Sequence, residues 1–360
     1  MKIALITDQH FGGKSDSNSF NDYIAKFYTN QFFPYLKENK ITTVIDLGDT
    51  FDRRKYVNFA ILDKVRQYYF DVMRENHIQL HSIVGNHSTY YRNTNDVNSS
   101  ELLYGYYDNV HTYPNPTTIT LDGTDIDILP WINSENYDIM MEFIKDSKSQ
   151  VGFGHLEVDG FAMYKGYVAD SGLPKKLFNR YEVLCSGHYH HKSSKDNIHY
   201  LGAPYEITWN DYDDPRGFHI FDTETRELEF IQNQYRLFEK IYYDDENWSR
   251  DFRSLDTSYY KDKIVKLIVE NKTMIPEFET FIDRMYKSNP IDLIILEDLS
   301  EYTARYSNLE ESDDIEVGNT ATFLQEYVDS MPIDHEKRVE RNKVKRLLQI
   351  LYDEALNSDE

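Results

Sequence analysis

"KIALITDQH", Lys2 to His10, is the stretch from which the rest of the chain can be read. Lys2 to Thr7 is a β-type run, apolar in its middle. At its end the polarity flips to Asp8, Gln9 and His10. Such a run predicts a strand buried on both faces. The same punctuation recurs twice. "TTVIDL" (Thr42 to Leu47) leads into Gly48, Asp49, Asp52 and Arg53, and "IQLHSIV" (Ile78 to Val84) leads into Gly85, Asn86 and His87. Between these runs, Phe20 to Glu38 carries Tyr23, Ile24, Phe27 and Tyr28 at helical spacing, and Asn58 to Glu75 reads as a second helix. Strand, helix, strand, helix, strand predicts a parallel α/β sheet with right-handed crossovers.

The pattern then shifts. "TTITL", "DIDILP", "QVGFG", "YEVLCSG", "IHYLGAP", "GFHIFD" and "ELEFIQ" are β-like and read as joined mostly by short connections. They predict a second sheet packed face to face with the first, giving a layered α/β sandwich. Beyond Gln232, "KIVKLIVE" (Lys263 to Glu270), a helix near Pro276 to Lys287 and "DLIILED" (Asp292 to Asp298) predict a small α+β accessory domain. "NLEESDDIEVGN" (Asn308 to Asn319) is acidic, poor in large apolar residues, and reads as a flexible linker. The resulting division is 1–235, 236–307 and 308–360. In the last part, Val344, Leu347, Leu348, Leu351 and Ala355 share one helical face, with Arg338, Arg341, Lys343, Lys345 and Arg346 crowding other positions. That helix either packs on its own domain or docks a partner across the linker.

Composition narrows the class. The 360 residues are 40% hydrophobic and 28% charged, an ordinary soluble balance. No apolar run approaches the roughly 18 residues of a membrane span. The N-terminus turns polar too early to be a signal peptide. Cys185 is the single cysteine, so no intrachain disulfide can form and a cytoplasmic location is expected. The net charge of -23 argues against broad nonspecific binding of nucleic acid, although bound divalent ions reverse such a field locally and a partner can supply positive surface.

The candidate ligands sit where strands end. Asp8, His10, Asp49 and Asn86 follow the first three strands, ends that converge in open α/β sheets. Asp8 and His10, at i and i+2, would point the same way if extended. His155 follows "GFG", and His188 and His190 follow "SG"; a glycine before each keeps the space beside a metal clear. Any one of these pieces alone is commonplace. Five of them in order, each at a strand end, are not. Oxygen and imidazole ligands without thiolate suit Mn²⁺, Fe²⁺ or Zn²⁺. Seven ligands exceed one ion's needs and fit two ions roughly 3.5–4 Å apart, the arrangement that clamps phosphoryl groups for in-line attack. By the same strand alternation His191 points away, and Cys185 reads as a small core residue.

The ordered set D-x-H, G-D-x-x-D-R, G-N-H, G-H, G-H-x-H resembles the calcineurin-type metallophosphoesterase superfamily. "GDTFDRRK", "HSIVGNH", "ILPW", "GHLEVDGFAMYKG" and "DPRGFHIFDTET" narrow the resemblance to the nuclease subunits of DNA double-strand-break repair complexes (SbcD-like) and their T-even-type phage counterparts. The likeness covers about residues 1–230. It implies a four-layer α/β/β/α sandwich with a capping domain and a C-terminal helical segment that binds a coiled-coil ABC-type ATPase. It implies that Asp8, His10, Asp49 and His190 hold one ion and Asp49, Asn86, His155 and His188 the other. Mn²⁺ would be preferred, with Mg²⁺ possible. His87 would face the scissile phosphate without ligating, Asp52 would pair with it, and Arg53 would contact substrate phosphate. The resemblance further implies DNA as substrate, a homodimer within a heterotetramer, formed through the Asn58–Tyr107 region, and the host cytoplasm if the chain is phage-encoded. One departure stands out: the family reads G-N-H-D or G-N-H-E, and here Ser88 follows His87.

Three functions compete. The first is an Mn²⁺-dependent DNA exonuclease, with endonuclease activity possible, acting in recombination, repair and replication with an ATPase partner. The second is a general phosphodiesterase or phosphatase, which does not need the length beyond Gln232. The third is a non-catalytic scaffold, which would have lost ligands.

Overall fold

The apolar runs form the strands expected of them. β1 (Lys2–Ile6), β2 (Thr43–Asp46), β3 (Gln79–Ile83) and β4 (Val110–Tyr113) lie side by side and parallel. The structure, a computed structural model, describes residues 1–164, 167–168, 172–246 and 252–297. The acidic stretch at Asn308 to Asn319 and the amphipathic pattern from Val344 to Ala355 lie outside the described residues.

A second six-stranded sheet contains β5 (Thr117–Leu121), β6 (Thr124–Leu129), β7 (Val151–His155), β10 (Val183–Gly187), β11 (Ser193–Lys195) and β12 (Ile198–Tyr200). A short hairpin, β8 (Ala162–Tyr164) with β9 (Tyr167–Val168), interrupts the series. The order is β11-β12-β10-β7-β6-β5. Two expectations change here. β6, β7, β10 and β12 are parallel, so the connections cannot all be short; the helix Tyr137–Asp146 crosses between β6 and β7. β13 (Gly217–Asp222) and β14 (Leu228–Gln232) also leave the second sheet. They return to the first, where β13 pairs antiparallel with β1.

Three apolar layers hold the four structural layers together. Ile3, Leu5, Ile45, Leu47 and Phe221 from one sheet meet Ile126, Ile128, Val151, Phe153 and Cys185 from the other, all fully buried. The alternate residues of β1 and β2, such as Ala4, Ile6 and Val44, face the helices over the first sheet. Leu184 and Tyr200 face Met140 and Ile144 over the second. Each such side chain contributes roughly 1.5–3 kcal/mol by leaving water, so strand alternation fixes which face is which. The two expected helices are each continuous, but a π turn interrupts them at Tyr28–Phe32 and at Arg66–Phe70. The wider turns press Tyr28 and Tyr69 together at 4.8 Å between ring centroids, beneath the strand ends.

The accessory sheet is parallel throughout, with order β15 (Phe238–Asp244), β16 (Ile264–Asn271), β17 (Asp292–Glu297). The helix Ile275–Lys287 buries Phe278, Phe281 and Met285 on one of its faces. Met1–Glu297 forms one compact unit.

Candidate metal centre

The seven candidate ligands come together at the strand ends, but not by strand alternation. Asp8, His10, Asp49 and His188 all have left-handed backbone, with φ of 51°, 46°, 56° and 88°. That conformation costs about 1–2 kcal/mol at a residue with a Cβ. Backbone bonds offset it: Asp8 N donates to Gly48 O at 2.9 Å, and His10 N to Asp49 O at 3.0 Å. The first two ligand loops thus lace to each other rather than continuing their strands. Sharp turns, not extended i, i+2 geometry, aim Asp8 and His10 inward.

Three groups of donor atoms result among the described residues: Asp8, His10 and His190; Asp49, His155 and His188; and His10 with Asp52 and His87. His10 Nε2 and His190 Nε2 are 3.0 Å apart. Asn86 joins the second cluster through its Oδ1, 2.8 Å from His155 Nε2 and 3.0 Å from His188 Nδ1. Main-chain amides orient the carboxylates. His188 N donates to Asp8 Oδ2 at 3.0 Å, and His87 N donates to Asp49 Oδ1 at 2.7 Å.

The donor chemistry fits divalent cations. His155 Nδ1 donates to Leu47 O at 2.8 Å, which leaves Nε2 as a lone pair in the neutral ring. That lone pair faces Asp49 Oδ2 at 3.2 Å and Asn86 Oδ1 at 2.8 Å, both acceptors. Three acceptors converging need a positive charge between them. In the protein alone a proton fills this role: burial pushes the His155 pKa down, but Asp49 and Asp8 outweigh it and raise it to about 9. Burial, then the neighbouring His155, drives His188 down to about 3. Burial and then His10 hold His190 well below its ordinary value. Both therefore offer lone pairs at neutral pH. Space is also kept. A Cβ at Gly85 would lie 2.6 Å from Asp49 N, and one at Gly187 would lie 3.1 Å from both Asp8 Oδ2 and His155 Nδ1.

The remaining predicted residues surround these clusters. His87 Nδ1 donates to the main-chain carbonyl of Asp52, and its ring meets that of His10 edge-on at 4.9 Å. The expected Asp52 carboxylate–His87 pair is not what forms. The carboxylate turns instead to His10 Nδ1, 3.2 Å away though poorly aligned for a hydrogen bond. Arg53 is held at the rim by Asp16 at 3.3 Å and by Tyr56. Ser88 is fully buried, and its Oγ accepts from Gly85 N at 3.4 Å, closing the loop that carries Asn86 and His87. His191 points away and pairs with Asp214 at 2.8 Å. Cys185 is buried between the sheets.

Sequence reasoning passed over a buried polar frame under the centre. Gln9, between two candidate ligands, donates to Asp46 Oδ2 at 2.8 Å and accepts from Tyr28, while Tyr205 donates to its main-chain carbonyl. Asp46 also accepts from Thr50 Oγ1 at 2.6 Å and Gly48 N at 3.1 Å. Burial still raises its pKa to about 7. Trp131 of "ILPW" walls the opposite side, 5.3 Å from the His188 ring. The one available signal was position: Gln9 sits between two candidate ligands just past β1, and Asp46 ends the otherwise apolar β2 three residues before Asp49.

A family model described as calcineurin-like phosphoesterase matches residues 1–192. The chain is similar to an exonuclease subunit of Enterobacteria phage T4, 34% identical over 337 residues that span 92% of this chain and 93% of the relative. It is also similar to an SbcCD nuclease subunit of Staphylococcus epidermidis (strain ATCC 12228 / FDA PCI 1200), 21% identical over 411 aligned positions covering 98% and 99% of the two chains. Among solved structures it matches a chain reported under "Structural and Functional Characterization of a Novel Archaeal Phosphodiesterase". The TM-score is 0.33 at 14% identity, covering 64% of this chain and 99% of that one.

Proposed function

Because this chain belongs to the calcineurin-like phosphoesterase family, we propose that it is a two-metal DNA nuclease working with an ABC-type coiled-coil ATPase. The observation that carries this reading is the convergence of lone pairs and carboxylates on two adjacent points beside His87. Similarity along nearly the full length to two proteins named as nuclease subunits supports DNA over a generic phosphodiester.

In this reading Asp8, His10, Asp49 and His190 hold one divalent ion. Asp49, Asn86, His155 and His188 hold the second, and Asp49 is shared. Two ions held there, Mn²⁺ by preference with Mg²⁺ as substitute, would polarise the phosphate and acidify the attacking water. His87 stands outside both sets. Its Nδ1–H is committed to the Asp52 carbonyl, which leaves Nε2 as the atom that would meet the scissile phosphate in this reading. Only the imidazolium form carries a proton there to give to the leaving oxygen, and its charge also stabilises the pentavalent transition state. Asp52 works from both ends, orienting His87 through its carbonyl and His10 through its carboxylate. Arg53 reaches substrate phosphate once that phosphate displaces Asp16.

Residues 1–235 make the nuclease domain in this proposal, 236–307 cap it and guide DNA, and 308–360 bind the ATPase. A homodimer inside a heterotetramer and a cytoplasmic setting complete it. Among the described residues no helix is long and apolar enough to cross a membrane. The test is digestion of single- and double-stranded DNA with Mn²⁺ or Mg²⁺, with and without the ATPase. Mn²⁺-dependent loss of DNA is expected. Cleavage of a small aryl phosphodiester with DNA left intact would point instead to a general phosphodiesterase.

A further inference from the structure

A cavity of about 460 Å³ opens between the two sheets at their β11 and β14 edges, lined by residues that the nuclease chemistry does not use. Its volume lies in the range of small-molecule sites. Its lining is cationic, in a chain whose net charge is -23. Lys192 makes no ion pair among the described residues; its Nζ rests 4.0 Å from the centroid of the Phe230 ring. Arg226 Nη1 is buried without a hydrogen bond, and its ion pair with the exposed Glu182 carboxylate is long, at 3.8 Å. By contrast Arg216, a short distance along the chain, is doubly paired with Asp211 and Asp214 at 2.7 Å.

Two further polar atoms are left without partners in the same cavity. His219 is 4% exposed, and its Nδ1 has no hydrogen bond; Ser193 Oγ is buried and also unpartnered. Unmet buried polar groups are costly, and three in one cavity call for a shared polar ligand. Burial first, then the positive charges of Lys192 and His199, push the His219 pKa down to about 3, which agrees with a locally positive field. Phe230 and Leu228 supply the apolar part of the lining, with the Phe230 ring beside Lys192 and His219.

We propose that this cavity binds a nucleoside monophosphate, its phosphate held by Lys192, Arg226, Ser193 and His219 and its base placed along the Phe230 wall. A phosphomonoester, with up to two negative charges and three acceptor oxygens, matches two cations and a hydroxyl more fully than a carboxylate does. Inorganic phosphate would leave most of the cavity empty. The proposal rests on the nuclease reading only for the source of the ligand, because phosphodiester hydrolysis releases this class of product.

Calorimetry on the full chain in EDTA tests this with deoxyadenosine monophosphate, deoxyadenosine and inorganic phosphate as titrants. The monophosphate should bind, deoxyadenosine should not, and inorganic phosphate should bind more weakly. Arg226→Glu and Lys192→Gln should each weaken binding roughly tenfold or more, the worth of one charge-assisted hydrogen bond. Absence of monophosphate binding would overturn the proposal, as would affinity unchanged in both variants or phosphate binding as tightly as the nucleotide. The Mn²⁺ nuclease assay on the same preparations reports separately on the catalytic reading, so the two failures cannot be confused.

Discussion

Gly85→Ala puts the architecture of the centre to a direct test. The new Cβ would press on Asp49 Oδ1 and lie 2.6 Å from the Asp49 amide nitrogen, against an ordinary contact of about 3.4 Å. The carboxylate could turn aside, but the amide belongs to the main chain, so rotating a side chain cannot relieve that clash. Relief requires the Asp49 loop and the Gly85 loop to part by about 0.8 Å. Metal–ligand distances tolerate only about 0.2 Å. A misplacement near 1 Å costs on the order of 100-fold in rate. The fold should survive, since overpacking of this kind costs about 1–3 kcal/mol. The assay combines hydrolysis of DNA and of an aryl phosphodiester with Mn²⁺, bound-metal content, and thermal unfolding. Gly123→Ala serves as control for strain remote from the centre: nothing lies within 4 Å of its Cβ, and its φ of 76° costs an alanine stability without touching the ligand loops. A folded Gly85→Ala protein whose activity stays within about threefold of the parent would show that Asp49 is not held at this approach, and the argument would fall.

Other outcomes follow from the same geometry. His87→Ala should lower cleavage by about 10²–10⁴-fold while Mn²⁺ content stays unchanged; loss of both would make His87 a ligand and sink its assigned role. His81 is buried, and burial followed by the charge of His111 lowers its pKa to about 4. Its folded pKa lies below the unfolded value of about 6.5, so its contribution is full above that pH and is lost as pH falls through about 4. The contribution is on the order of 3 kcal/mol, and urea midpoints should drop less between about pH 7 and about pH 4.5 in His81→Gln than in the parent; an equal drop would refute the assignment. Removing residues 319–360 should abolish co-purification with the coiled-coil ATPase while sparing Mn²⁺ binding. A truncated chain that still pulls the ATPase down would end the docking assignment.

The candidate ligand set was legible because each apolar run stops at a polar residue, and such a stop marks a strand end whatever its neighbours are. Destinations were harder. Alternation along "GFHIFD" says that β13 is a strand, but nothing local says that it pairs with β1 rather than with the second sheet. The helix Tyr137–Asp146 buries only Met140 and Ile144 fully, too thin a stripe to stand out among β-like runs. π turns leave the spacing of apolar residues almost unchanged, so Tyr28–Phe32 read as ordinary helix. The left-handed ligands escaped because Asp and His tolerate that conformation without requiring it. The frame of Gln9, Asp46 and Thr50 left no periodic trace, since buried hydrogen bonds depend on partners far apart in sequence.

Cys185 gives the molecule a built-in clock. It is the only thiol in 360 residues, fully buried between the sheets, and burial pushes its pKa well up. No thiol reagent can reach it until the sandwich opens. The rate at which such a reagent labels the folded protein therefore counts openings. Where closing outpaces the reaction, that rate reports the free energy of opening directly. Cys185 lies on the strand that leads to His188 and His190. Any ion gripping both sheets would slow the count, so metal affinity becomes measurable without catalysis or substrate.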